Sequence, residues 1–203
     1  MKTFILLSTA FAICFAEFSS SAQQEIVDAH NEFRRDIAKG TFTAKGNAVP
    51  AASNMRQMSW DSDLAAQSQA FAEGCPDDHV KGGSYGENLY WSWTSEDIDS
   101  IDKYGKQASS SWAKEFQDFG FSGPSEPITD DNGHATQMAW ANTAKVGCGA
   151  KSCGKDPKNG MNKITVVCRY TDQGNVGGEK IYKNGDACSA CDGSATCSNG
   201  LCA

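Results

Sequence analysis

The sequence predicts an α+β sandwich from three observations: helical periodicity in the first half of the chain, an alternating β-branched strand in the second, and a polar C-terminal segment crowded with cysteine. The 203 residues suit one domain with a small appendage. A hydrophobic fraction of 39% with 21% charged residues excludes a disordered or collagen-like chain. The formal charge of −7 argues against a nucleic-acid partner or a polybasic membrane anchor.

Lys2 precedes the apolar run Phe4 to Ala16, and small and polar residues follow, as in a secretory signal peptide. Residues 1–22 are assigned to it, with cleavage after Ala16 or after Ala22 by the small residues at −3 and −1. The run is too short to span a bilayer, and no later stretch could do so, so no transmembrane segment is expected. Either cut removes Cys14 from the 9 cysteines and leaves an even set, suited to an oxidising, extracellular location. A retained signal anchor is the alternative.

Ile26, Val27, His30, Phe33 and Ile37 recur at helical spacing from about Gln24 to Lys39, and Gly40 follows as a stop. Asp61 or Ser62 caps a second helix through Leu64, Ala65, Ser68, Phe71 and Ala72 to Gly74, whose apolar face is expected to pack on the first. Glu87 to Trp93 (ENLYWSW) reads as a strand. Thr94 to Asp97 offers a capping box for a third helix through Ile98, Ile101, Tyr104, Trp112 and Phe116. A polar loop from Gly120 to Gly133 precedes Ala135 to Trp140 (ATQMAW) and Ile164 to Tyr170 (ITVVCRY), the latter alternating as strands do. Residues 23–182 form the domain and 183–203 the tail, where Cys188, Cys191, Cys197 and Cys202 stand among Gly, Ser, Asn and Asp. Two short disulfide loops would be its main support, with a zinc knuckle as the competing reading.

Several motifs resemble those of the CAP superfamily of cysteine-rich secretory, venom-antigen and pathogenesis-related proteins, and especially nematode venom-allergen-like secreted proteins. They are His134 to Trp140 (HATQMAW) with Val146 to Gly149 (VGCG), Tyr85 to Tyr90 (YGENLY), Val166 to Asn175 (VVCRYTDQGN), Met58 to Asp61 (MSWD) and Glu115 to Gly120 (EFQDFG). The resemblance implies an α-β-α sandwich with a small antiparallel sheet between helices, and a hinge-like tail. It implies disulfides Cys75 to Cys153, Cys148 to Cys168, Cys188 to Cys197 and Cys191 to Cys202, where spacing alone leaves roughly a hundred pairings open. Another pair common in relatives is missing, because Tyr85, Gly86 and Tyr170 are not cysteine.

The resemblance also places a cavity tetrad on His79, Glu87, Glu115 and His134. Two imidazoles and two carboxylates could hold a divalent cation, zinc by ligand type, though no cofactor is required. Without metal they could form a network in which each carboxylate orients an imidazole. A metal-dependent hydrolase would use Glu87 or Glu115 as base. No other catalytic motif is compelling, so no catalytic residue is assigned and a non-enzymatic role is preferred. Gly82, Ser84 and Gly86 fit G-x-S-x-G, but a polar loop precedes them and a strand follows, the wrong context for a nucleophile elbow. His30 reads as a core residue.

The resemblance further implies sterol binding at an aromatic loop, for which Phe116, Phe119 and Phe121 are the candidates, and fatty-acid binding between two helices, with walls near Ile26, Phe33, Ile37, Ile101 and Tyr104. The alternative for Phe116 and Phe119 is simple core packing. The leading expectation is a secreted binder of sterol, fatty acid or an extracellular protein; the alternatives are the hydrolase and a surface-acting immunomodulator. Lys151, Lys155, Lys158 and Lys163 form a local basic patch in an otherwise acidic chain.

Overall fold

The computed structural model describes residues 17–203; the apolar run Phe4 to Ala16, and Cys14 within it, lie outside the described residues. Helix α1 (Ser20–Ala38) starts four residues earlier than Gln24 because the Ser19 hydroxyl accepts the Ala22 amide at 3.3 Å. Its buried stripe runs Ala22, Ile26, His30, Phe33, Arg34 and Ile37, and Gly40, at φ +66°, ends it. A two-stranded ribbon of β1 (Thr43–Ala44) and β2 (Asn47–Ala48) follows.

The main sheet has the order β3-β5-β6-β4, from β3 (Ser59–Trp60), β4 (Gly86–Thr94), β5 (Lys145–Lys155) and β6 (Asn162–Thr171). All pairings are antiparallel except the two-residue β3, which runs parallel to β5. Along β6, Ile164, Val166, Cys168 and Tyr170 join the main core, while Val167 packs with Leu89 and Ala72 on the other face. That alternation makes a layer on each side of the sheet.

Helix α2 (Ser62–Ala72) lies across β5 and β6, not against α1 as its apolar face suggested. The reason is in VGCG: a Cβ on Gly147 would stand 2.3 Å from the Ala65 amide nitrogen, and one on Gly149 2.3 Å from the Gln69 Cα. Two glycines therefore let the helix backbone settle directly on the strand. On the opposite side, α3 (Asp102–Phe119) packs against α1, where Gly105 leaves room for Ile26. It starts at Asp102, not at Thr94, because Thr94 is still paired with Asn162 in the sheet and its hydroxyl only closes a turn with the Glu96 amide. The ATQMAW segment forms α4 (Gly133–Ala139), so the second half of the chain is not purely strand.

The four disulfides are Cys75–Cys153, Cys148–Cys168, Cys188–Cys197 and Cys191–Cys202, the pairing the resemblance implies. The sulfurs of Cys188, Cys191 and Cys202 cluster, but all are disulfide-bonded, which removes the zinc-knuckle reading. Strands β7 (Cys197–Ser198) and β8 (Leu201–Cys202) make the tail a hairpin. The tail is not coreless: Leu201 is fully buried in the main core, and backbone bonds join Cys202 to Met55 and Gln57. Among the described residues no helix is long and apolar enough to cross a membrane.

Candidate functional site

Glu115 projects from α3 toward the start of α4. One carboxylate oxygen lies 2.6 Å from His134 Nδ1, and the other accepts the Ala135 amide at 2.9 Å. It therefore fixes the imidazole and satisfies an unpaired amide in the first turn of α4. Trp112, one turn earlier on α3, stacks on His134 with centroids 5.9 Å apart and planes 19° apart. The Asn88 side chain donates to the His134 carbonyl at 3.2 Å and ties this pair to β4.

Glu87, at the start of β4, holds the second pair. Its carboxylate lies 3.1 Å from His79 Nδ1 and accepts the Val80 amide and Arg169 Nε, each also at 3.1 Å. Burial alone would raise the Glu87 carboxyl, but these donors outweigh it and hold it below the usual carboxylate value. The bond to Glu87 in turn raises the His79 imidazole against the opposing effect of its partial burial. Arg169 is itself clamped between rings, 4.3 Å from Tyr85 and 5.2 Å from Phe71, and donates to the Gln67 carbonyl.

The tetrad is thus two His–Glu pairs, not one N2O2 set. Among the described residues, the only group of three or more His, Cys, Asp or Glu donors lying within 4.8 Å of one another is the cysteine cluster of the tail. As placed, the four residues do not fit a cation that needs three or four protein ligands. A polar cleft of about 330 Å³ opens beside the His79–Glu87 pair, lined by His79, Tyr85, Gly86, Glu87, Gln137 and the turn Gln173 to Asn175. Glu115 and His134 are not in its wall.

The aromatic trio also divides. Phe116 and Phe121 stack at 3.9 Å with planes 6° apart and are buried, so they are core; Phe119 alone is exposed. The expected fatty-acid walls Ile26, Ile37, Ile101 and Tyr104 are buried in packed core. Phe33 does reach a groove, of about 300 Å³ between α1 and α3, whose sides include Ala29, Phe42, Ala113 and Lys106. In the basic patch, Lys151 pairs with Glu73 and Lys163 with Asp77. Ser84 sits in the loop before β4, outside any strand-to-helix turn.

With this geometry in place, residues 27–170 match the family described as CAP, the cysteine-rich secretory protein family. The chain belongs to that family. It is 36% identical over 199 residues to Ancylostoma secreted protein of Ancylostoma caninum, covering 91% of this chain and 44% of that protein. Cysteine-rich secretory protein 3 of Equus caballus is 36% identical over 194 residues, covering 90% and 69%. Peptidase inhibitor 16 of Mus musculus is 34% identical over 184 residues, and the chain spans only 33% of its length. Several relatives are therefore much longer proteins. Among solved structures, BmVAL-1 superposes with a TM-score of 0.81 at 29% identity, covering 92% of this chain and 96% of that one. A structure of NaASP2 with Zn2+ gives 0.79 at 31%, covering 92% and 97%.

Three residues of this CAP domain were missed from sequence. Arg34, Asn88 and Arg169 each interrupt an apolar pattern. Arg34 falls on the buried stripe of α1, four residues after His30, and a charge at such a position is the signal that could have found it.

Proposed function

We propose that this CAP-domain protein acts outside the cell as a binding protein, not as a hydrolase, and that the α1–α3 groove takes a fatty acid. The observation that carries the non-hydrolytic reading is the engagement of both carboxylates. Glu87 already accepts from His79, Val80 and Arg169, and Glu115 from His134 and Ala135, so protein donors compete with any water for both carboxylates. The depressed Glu87 carboxyl is a poor base as well.

The groove suits an amphipathic acid. Its apolar lining is Ala29, Phe33, Phe42 and Ala113, and Lys106 shares the wall with Glu32 and Asp36 as the cation that would meet a carboxylate. Lys114 is committed to Asp118. The sterol reading is weaker, with one exposed ring in place of three. Fluorescent fatty-acid titration of wild type and Phe33→Ser tests the proposal: saturable binding weakened at least tenfold in the variant supports it, and no saturable binding sinks it.

The metal reading survives in reduced form. The Nε2 atoms of His79 and His134 have no protein partner among the described residues, while each Nδ1 is held by a carboxylate, the orienting role carboxylates play behind metal-bound histidines. The Nε2 atoms of His79 and His134 would each offer a ligand, and zinc would supply Lewis acidity when bound; the related NaASP2 was solved with Zn2+. Zinc calorimetry with His79→Ala and His134→Ala distinguishes the cases: heat lost in both variants supports a two-imidazole site, and unchanged heat excludes it.

A further inference from the structure

The chain before α1 is held in ways that choose between the two sequence-compatible leader cuts. Phe18 is 3% exposed and belongs to the main core; the ideal Cβ position at Gly105 of α3 lies 3.1 Å from its ring. Its carbonyl accepts from the Gln23 side chain at 2.9 Å. Ser19 caps α1, and its amide donates to Asp102 Oδ1 at 3.0 Å. Ala22 is buried as well. A cut after Ala22 would discard a core aromatic, a helix cap and the tie between the starts of α1 and α3.

Glu17 borders two adjoining clefts. One, of about 320 Å³, is lined by Asp99, Asp102 and Lys151 as well as Glu17. Lys151 is already paired with Glu73, so among the described residues of this wall the three carboxylates meet no unpaired cation. The other, of about 150 Å³, runs past Phe18 and Trp60. A positive group at the amide nitrogen of residue 17 would complement the first cleft.

We propose that the leader is removed between Ala16 and Glu17, and that the α-ammonium group freed there docks against Asp99 and Asp102, fastening the start of the chain to α3. This rests on the extracellular reading above. A leader-cleaving protease of the secretory membrane would add water across the Ala16–Glu17 peptide bond; Ala16 departs as a carboxylate, and Glu17 retains its nitrogen as the ammonium.

Two measurements test it. The protein is secreted from a eukaryotic host and its amino terminus is read by intact mass and N-terminal sequencing, with Glu17 expected. A secreted chain beginning at Gln23 overturns this proposal alone, whereas a chain kept in the cells with Met1 attached overturns the extracellular reading too. Next, α-acetylation of the protein beginning at Glu17 is expected to lower its unfolding midpoint. That loss should vanish in an Asp99→Asn, Asp102→Asn variant, whose new side-chain amide oxygen on α3 can still accept the Ser19 amide. Equal midpoints for the acetylated and free wild type overturn the docking.

Discussion

His30 Nε2 lies 3.0 Å from the Tyr170 hydroxyl and accepts a hydrogen bond from it, because Nδ1–H is spent on the Ile26 carbonyl at 2.8 Å. Asn88 donates to the same hydroxyl at 3.2 Å. The chain Asn88 to Tyr170 to His30 to Ile26 crosses the core from β4 to α1, and it requires a neutral imidazole.

A pH dependence of stability follows. Burial, aided by the Arg34 charge and opposed by the bond to Ile26, lowers His30 from 6.5 to about 4. Between those values the unfolded chain holds a proton that the folded chain does not, so stability is full above pH 6.5 and falls as pH drops toward 4. The expected contribution is about 3 kcal/mol, read as a lower urea midpoint in acid. Histidine NMR should show His30 titrating far below His79, whose bond to Glu87 shifts it upward. A midpoint independent of pH across this window would refute the assignment.

Arg34 is fully buried and donates to the carbonyls of Arg56, Met138, Trp140, Ala141 and Thr143 at 2.7 to 3.1 Å. Burial, with Arg56 nearby, pushes it down to about 9, so it remains charged at neutral pH. Arg34→Met should cost about 3 kcal/mol or more by orphaning these acceptors. Arg34→Lys should recover little, since one ammonium cannot span five carbonyls. Denaturant unfolding checks both, and near-wild-type stability in either variant contradicts the reading.

At Gly149, alanine should destabilise by about 2 kcal/mol, because α2 backbone occupies the space its methyl needs. Gly133→Ala, with nothing within 4 Å and at the first position of α4, should be neutral or slightly stabilising. Thermal melts of the two variants side by side make the comparison; equal losses would mean that the close approach of α2 to Gly149 is not what governs.

Reduction should open the disulfides in order of exposure. Cys148 and Cys168 are buried on adjacent strands, whereas Cys197 is exposed and Cys188 and Cys191 are partly so. Timed alkylation with mass spectrometry should label the tail pairs first and Cys148 and Cys168 last. Leu201 keeps β8 anchored in the main core, so labelling of Cys188 and Cys197 should precede that of Cys202. Early labelling of Cys148 would contradict the order.

What was legible in the sequence was what depends on local pattern. The stripe of α1, the Asp61 cap, the strand beginning near Glu87 and the alternation in ITVVCRY all appear where their periods place them. What depends on partners was not. Nothing local says that Thr94 is still in the sheet, or that α2 chooses β5 over α1. The glycines of VGCG become informative only when a helix lies above them. Likewise the four tetrad residues could be named from motifs, but their division into two pairs is decided by Arg169 and the Ala135 amide, which claim the carboxylates.

The double duty of Glu115 has a thermodynamic corollary. Because one carboxylate both fixes His134 and closes the first turn of α4, anything that draws His134 away also loosens that turn, and anything that stiffens the turn presets the imidazole. Occupancy of the histidine would then be written into the exchange protection of a backbone amide one residue away, and α4 becomes a reporter of His134 that needs no chemistry to be read.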